Sequence, residues 1–144
     1  MNILTIAVVG FLVLETANVV TLYFFPGSKY ANGVGVFKAW EKSKQDPEVH
    51  SFVRYLVYWV AGTKLIFIAL LIVILLTADD QTLVFSAAAL VLSIASFFWR
   101  LFPLIRKMDR DTQLDPRNYS AVLGAMISAF ILVFLIAILA AAGG

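Results

Sequence analysis

The segment Tyr119–Ala142 contains no aspartate, glutamate, lysine or arginine. A membrane-spanning helix needs about 20 predominantly apolar residues at 1.5 Å rise each, and this stretch meets that requirement alone. Three more do so: residues 3–25, residues 52–77 (interrupted by Arg54 and Lys64), and residues 82–105, with Arg100 near the end. Each is apolar all round rather than along one stripe, as expected of helices flanked by lipid and by protein. Only 14% of the 144 residues are charged and 62% are hydrophobic. Soluble domains run near 25% charged, so a soluble core could not hide this much apolar surface, and a bilayer is the expected solvent.

The expected fold is therefore an all-α integral membrane protein, one domain over residues 1–144, forming an up-and-down bundle of four transmembrane helices. Loops at 26–51 and 106–118 and a tight connection at 78–81 join the helices, the last of which covers 119–142. The first apolar run is too long, and its N-terminal flank too poor in bases, for a cleavable signal peptide. The chain has no cysteine, which removes disulfides, thiolate nucleophiles and Cys-ligated metals, and its single histidine, His50, removes a bis-His haem. A net charge of +2 is too small to imply a nucleic-acid partner. No cofactor is expected, and no spacing of His, Ser, Asp or Glu recommends an enzyme.

Charge sets the expected orientation. The first long loop carries Lys29, Lys38, Lys42 and Lys44, and the second carries Arg106, Lys107, Arg110 and Arg117. The short connection offers Asp79 and Asp80 but no base. The positive-inside rule puts both long loops in the cytoplasm and both termini outside, with the cell membrane as the expected location. Tyr23, Tyr30, Tyr55, Tyr58, Trp59, Trp99 and Tyr119 gather toward the inner boundary as an aromatic belt.

Punctuation repeats in the two halves. Phe25-Pro26 and Phe102-Pro103 mark the exits of the first and third helices, and Asp46-Pro47 and Asp115-Pro116 mark the entries of the second and fourth, aspartate capping and proline taking the first helical position. A parallel duplication would give this pattern, and so would ordinary helix punctuation. Within the first loop, Val36, Phe37 and Trp40 fall at helical spacing among Lys38, Glu41, Lys42 and Lys44. That predicts a short amphipathic helix on the inner membrane surface, with Phe37 and Trp40 dipping below anionic headgroups and Lys38 and Lys42 meeting them. Arg100, Arg106 and Lys107 are expected at the same level, Arg100 by snorkelling.

The polar residues within the spans are the candidate site. Glu15 lies roughly 16 Å above the inner boundary and Lys64 roughly 18 Å above it, so both reach the bilayer midplane. An isolated charge there costs at least about 2.5–3.5 kcal/mol; opposite charges at matched depth are natural partners. Asn18 shares a helical face with Glu15. A Glu15–Lys64 bridge supported by Asn18 is the expectation, either as a register lock, as a proton or ion site, or as a polar anchor for a substrate or partner helix. Ser86, Ala89, Ser93, Ser96 and Arg100 form a small and polar stripe on the third helix, and Ser120, Gly124 and Ser128 a small-residue seam on the fourth. Both are expected to face other helices.

A glutamate in the first of four short helices resembles the small multidrug resistance transporters, in which that residue binds cations and protons. The resemblance covers helix count and Glu15 alone. The chain departs from that family in its long basic first loop, in Lys64, in its orientation bias, and in lacking the Trp-bearing pattern of the family's third helix. The function expected from the residues is that of a non-enzymatic assembly, accessory or scaffold subunit, associating with itself or with a membrane partner. The alternative is a small proton- or ion-coupled transporter or channel using Glu15, Asn18 and Lys64.

Overall fold

The computed structural model describes residues 2–142. Its helices are α1 (Ile3–Phe24), α2 (Lys38–Ser43), α3 (Pro47–Thr77), α4 (Asp80–Ala95), α5 (Phe97–Arg110) and α6 (Tyr119–Ala142), with one 3-10 turn at Val34–Val36. Four helical units are long and apolar enough to cross a membrane: α1, α3, α4 with α5 taken together, and α6. Among the described residues there is no strand, and a single antiparallel bridge joins Phe37 to Leu114.

Local chemistry explains where the helices start. The Asn2 side chain accepts from Thr5 N at 2.8 Å, Asp46 from Glu48 N and Val49 N, and Asp79 from Thr82 N at 2.7 Å. Each satisfies amides that the first helical turn leaves unpaired. Pro47 occupies the opening of α3 and Glu48 its first turn, as expected from the sequence. At 31 residues α3 is roughly 46 Å long, well beyond a hydrocarbon core of about 30 Å.

The second Asp-Pro behaves differently. α6 begins at Tyr119, not at Pro116, and Asp115 is engaged by Lys29 at 2.6 Å. The cap of α6 comes from α5: the Asp109 carboxylate accepts from Asn118 N at 3.0 Å, Ser120 N at 2.9 Å and Ser120 Oγ at 2.7 Å. The third span also departs from its expected end. It does not stop at Phe102-Pro103, because α5 carries Pro103 inside it and continues to Arg110. The interruption lies at Ser96 instead. There the Ser93 hydroxyl donates to Ala89 O and the Ser96 hydroxyl to Ser93 O, bonds that bend helices, about two turns before Pro103 removes an amide donor.

Packing is uneven. α1 lies against α3 and α6, and α6 against α4, while α3 and α4 touch little. The core between them contains Leu4, Val8, Phe11, Leu12, Ile68, Leu71, Leu83, Ala87, Leu90, Phe134 and Ala137. Phe11 is its hub, edge-on to Phe67, Phe130 and Phe134 with ring centroids 5.6–6.0 Å away.

Each end of the molecule is tied by polar contacts. At the turn end, Asn2 Nδ2 donates to Asp80 at 3.4 Å. At the loop end the two long loops clasp each other: Lys38 N donates to Gln113 O, Asp115 N donates to Val36 O, and Lys29 pairs with Asp115. Val36 and Leu114 are buried beneath this clasp. In the first loop Ala31 and Asn32 adopt positive φ, and Gly35 passes so close to the Gly27 carbonyl that a Cβ would lie 2.0 Å from its oxygen; a side chain there is sterically excluded.

The small-residue stripe of the third span is oriented otherwise than expected, and the seam on α6 is oriented as expected only in part. α4 buries Leu83, Ala87, Leu90 and Val91, which leaves Ala89, Ser93, Ser96 and Arg100 exposed and Ser86 half-buried. Bulkier residues bury more apolar area per contact, and the Ser93 and Ser96 hydroxyls are already satisfied within their own helix. On α6, Ser120 and Gly124 do face inward, toward α5, but Ser128 is exposed.

Candidate functional site

Glu15 and Asn18 lie on one face of α1, and Lys64 on the facing side of α3. The Lys64 ammonium donates to Glu15 Oε2, and Asn18 Nδ2 donates to Glu15 Oε1 at 3.3 Å. The three polar residues expected to converge from sequence are thus in contact. Glu15 lies roughly 14 Å along α1 from Phe24, and Lys64 roughly 20 Å along α3 from Thr77, far from either helix end.

The pair is not sealed. Glu15 keeps 14% and Lys64 26% of its side-chain surface exposed, because both line a cleft of about 480 Å³ between α3 and α4. Phe11, Phe67, Leu90 and Ile94 supply apolar walls, and Thr63 and Ser93 add hydroxyls. The Thr63 hydroxyl donates to Trp59 O and that of Ser93 to Ala89 O, so both face the cleft as acceptors. Lys64 spends one of three N–H donors on Glu15. The cleft is therefore an apolar groove with a neutral pair of charges on its wall and unspent donors beside it. It opens sideways, between two spans.

The cleft itself was not foreseen from sequence. One signal was present: Lys64 precedes the turn, and Ser93 follows it, by the same roughly 20 Å of helix, which brings them level. What could not be read was that α3 and α4, though joined by a tight turn, would part.

The surface residues expected at headgroup level divide. Lys38, Lys42, Arg106 and Lys107 are exposed at the loop end, and Arg100 is exposed with its guanidinium 5.5 Å from the Trp99 ring centroid. Among the described residues none of these five has a carboxylate within ion-pair distance. Trp40 corrects the expectation: it is 6% exposed and turned into the protein, and Phe37 is half-buried. Trp40 packs over Gly27 and lies 4.8 Å from the His50 ring. Ser43 Oγ donates to Trp40 O at 2.7 Å and lies 2.8 Å from His50 Nδ1. With the hydroxyl proton committed to Trp40 O, His50 Nδ1 is the donor. This serine is no nucleophile in waiting; the cluster fastens α2 to α3.

Among the described residues, no cluster of three or more His, Cys, Asp or Glu could hold a metal ion. No protein-family model, curated protein or solved structure matches the chain.

Proposed function

We propose that this chain is a non-enzymatic integral membrane protein that works by lateral assembly, accepting a transmembrane helix in the cleft between α3 and α4. The observation that carries this reading is the cleft's position: it opens between two spans, with apolar walls and the Glu15–Lys64 pair as a polar anchor. In lipid, helices associate through packing and interhelical hydrogen bonds rather than through a hydrophobic drive, so a groove offering both is suited to a helix. The four spans form an up-and-down bundle with both basic loops on the cytoplasmic side of the cell membrane. Lys38, Lys42, Arg100, Arg106 and Lys107 meet anionic headgroups there, with α2 and the loop clasp at the interface. The reading is tested by purifying the tagged chain from native membranes in mild detergent. An oligomer of the chain, or a membrane protein held in fixed ratio, is expected; a lone monomer would remove the assembly reading.

A second reading is favoured by the partial exposure of Glu15 and Lys64 in the cleft. Here the pair is a titrating centre of a small proton- or ion-coupled transporter, with oligomerisation completing the path. It requires flux in liposomes that depends on both side chains.

A further inference from the structure

We infer that the occupant of the α3–α4 cleft is α6 of a second copy of this chain, seated so that its Ser128 hydroxyl oxygen accepts a hydrogen bond from Lys64. The inference rests on the assembly reading above and names the partner.

Charge selects α6. The Glu15–Lys64 pair sums to zero, so an uncharged docking helix leaves the charge balance at the cleft undisturbed. In a second copy Glu15 and Lys64 are already committed to each other between α1 and α3, and α6 is the span that carries no charged residue.

Depth selects Ser128. Within one molecule, Phe11 of α1 touches Phe130 and Phe134 of α6. Glu15 lies one turn nearer the loop end than Phe11, and Ser128 lies just loopward of Phe130, so Glu15 and Ser128 share a level. Counted from the loop end, each is roughly 14 Å along its helix, Glu15 from Phe24 and Ser128 from Tyr119. Copies inserted in the same orientation thus bring Ser128 of one to the height of Lys64 in the other.

The face around Ser128 is free and narrow. Ala121, Ala125, Ser128 and Leu132 recur at helical spacing and are all exposed, while Phe134 and Ala137 on the other side are buried. Among the described residues, Ser128 makes no side-chain hydrogen bond, unlike Thr16, Thr63 and Ser93, whose hydroxyls are spent on their own helices. In the docked pair, the unspent donors of Lys64 and this hydroxyl satisfy each other where water is scarce. α6 packs against α1 and α4 rather than α3, so donor face and acceptor cleft are different surfaces. Such contacts are head-to-tail and build rings or chains.

The chain has no cysteine, which makes the test direct. Thr63→Cys and Ser128→Cys are introduced into separate full-length copies, co-expressed with different tags, and oxidised in the membrane. The expected result is a disulfide-linked dimer carrying both tags, with little product from either variant alone. Ser93→Cys replaces Thr63→Cys as a second cleft reporter should the first variant fold poorly. Self-linking of Ser128→Cys at equal or greater yield would place α6 against α6 and overturn the inference. Absence of mixed dimer from both cleft reporters, in a chain that still purifies with another membrane protein, would overturn the second copy as occupant and leave lateral assembly standing. A monomer with no companion would remove both.

Discussion

The Lys64 ammonium donates to the Glu15 carboxylate across 49 positions of sequence, and neither charge has another counter-ion within the spans. Glu15→Gln or Lys64→Met alone strands the remaining charge near mid-membrane, and each is expected to destabilise the protein by about 2.5–3.5 kcal/mol. The double variant removes both charges and is expected to regain most of that loss. Unfolding in detergent micelles reads the three stabilities as a double-mutant cycle. If the double variant is as unstable as the sum of the singles, the two residues do not act as a pair. Proton flux in liposomes lost in the singles and not regained in a stable double would assign the centre to transport; its persistence in the double would end that reading.

Gly124 of α6 faces Phe102 of α5 so closely that a Cβ would lie 2.7 Å from the ring. Phe102 cannot easily yield, since Phe97 and Phe98 pack against it. Gly124→Val is expected to cost about 1–3 kcal/mol through overpacking, outweighing the gain of about 0.5 kcal/mol or less from replacing a helical glycine by valine. Phe102→Leu in the same chain is expected to recover part of the loss. A thermal scan in which Gly124→Val melts above the parent would show that α5 and α6 do not touch there.

Asp115 and Asp79 set the acid limit of the aqueous ends. The hydrogen bond and charge of Lys29 hold the Asp115 carboxyl below the usual carboxylate range, and hydrogen bonds from the Thr82 hydroxyl and amide do the same for Asp79. A carboxyl whose folded pKa is depressed contributes stability above its unfolded value of about 3.9, and loses it as pH falls through the lower folded value. Amide exchange in the loop clasp and at the start of α4 is therefore expected to stay flat from neutral pH to about 5 and to accelerate below about 4, after correction for the intrinsic rate. In Asp115→Asn the acid acceleration at the clasp should diminish, with the remainder owed to Asp109, which the Ser120 hydroxyl and amide also hold low; if it remains in full, Asp115 does not govern that end.

The apolar runs were legible because bilayer thickness fixes their length, and Glu15 and Lys64 because isolated charge in hydrocarbon must find a partner. Asp46 was legible as a cap because Pro47 and Glu48 follow in the order that a helix start requires. Asp115-Pro116 offered a similar signal and misled, since Lys29 lies 86 positions away and no local rule shows that it will claim the carboxylate. Asp109 capping α6 was hidden for the same reason: it requires knowing that α5 runs through Pro103. Trp40 read as a membrane-dipping residue because helical spacing reveals a face but not what covers it. The outward turn of Ser93 and Ser96 was likewise hidden, because smallness indicates where a helix can be approached and not whether its own molecule does so.

Two solvent-exposed ties hold the ends of the bundle, Asn2 to Asp80, which joins α1 to α4 at the turn end, and Lys29 to Asp115, which joins the two long loops at the other. Between them α3 and α4 have little direct hold on each other. Their separation is set instead through α1, which holds α3, and α6, which holds α4. The Lys29–Asp115 contact is the ionic one of the two, and salt weakens an exposed pair of this kind. The grip of one long loop on the other is thus answerable to the ions of the surrounding water, while the packing of α1, α3, α4 and α6 is not.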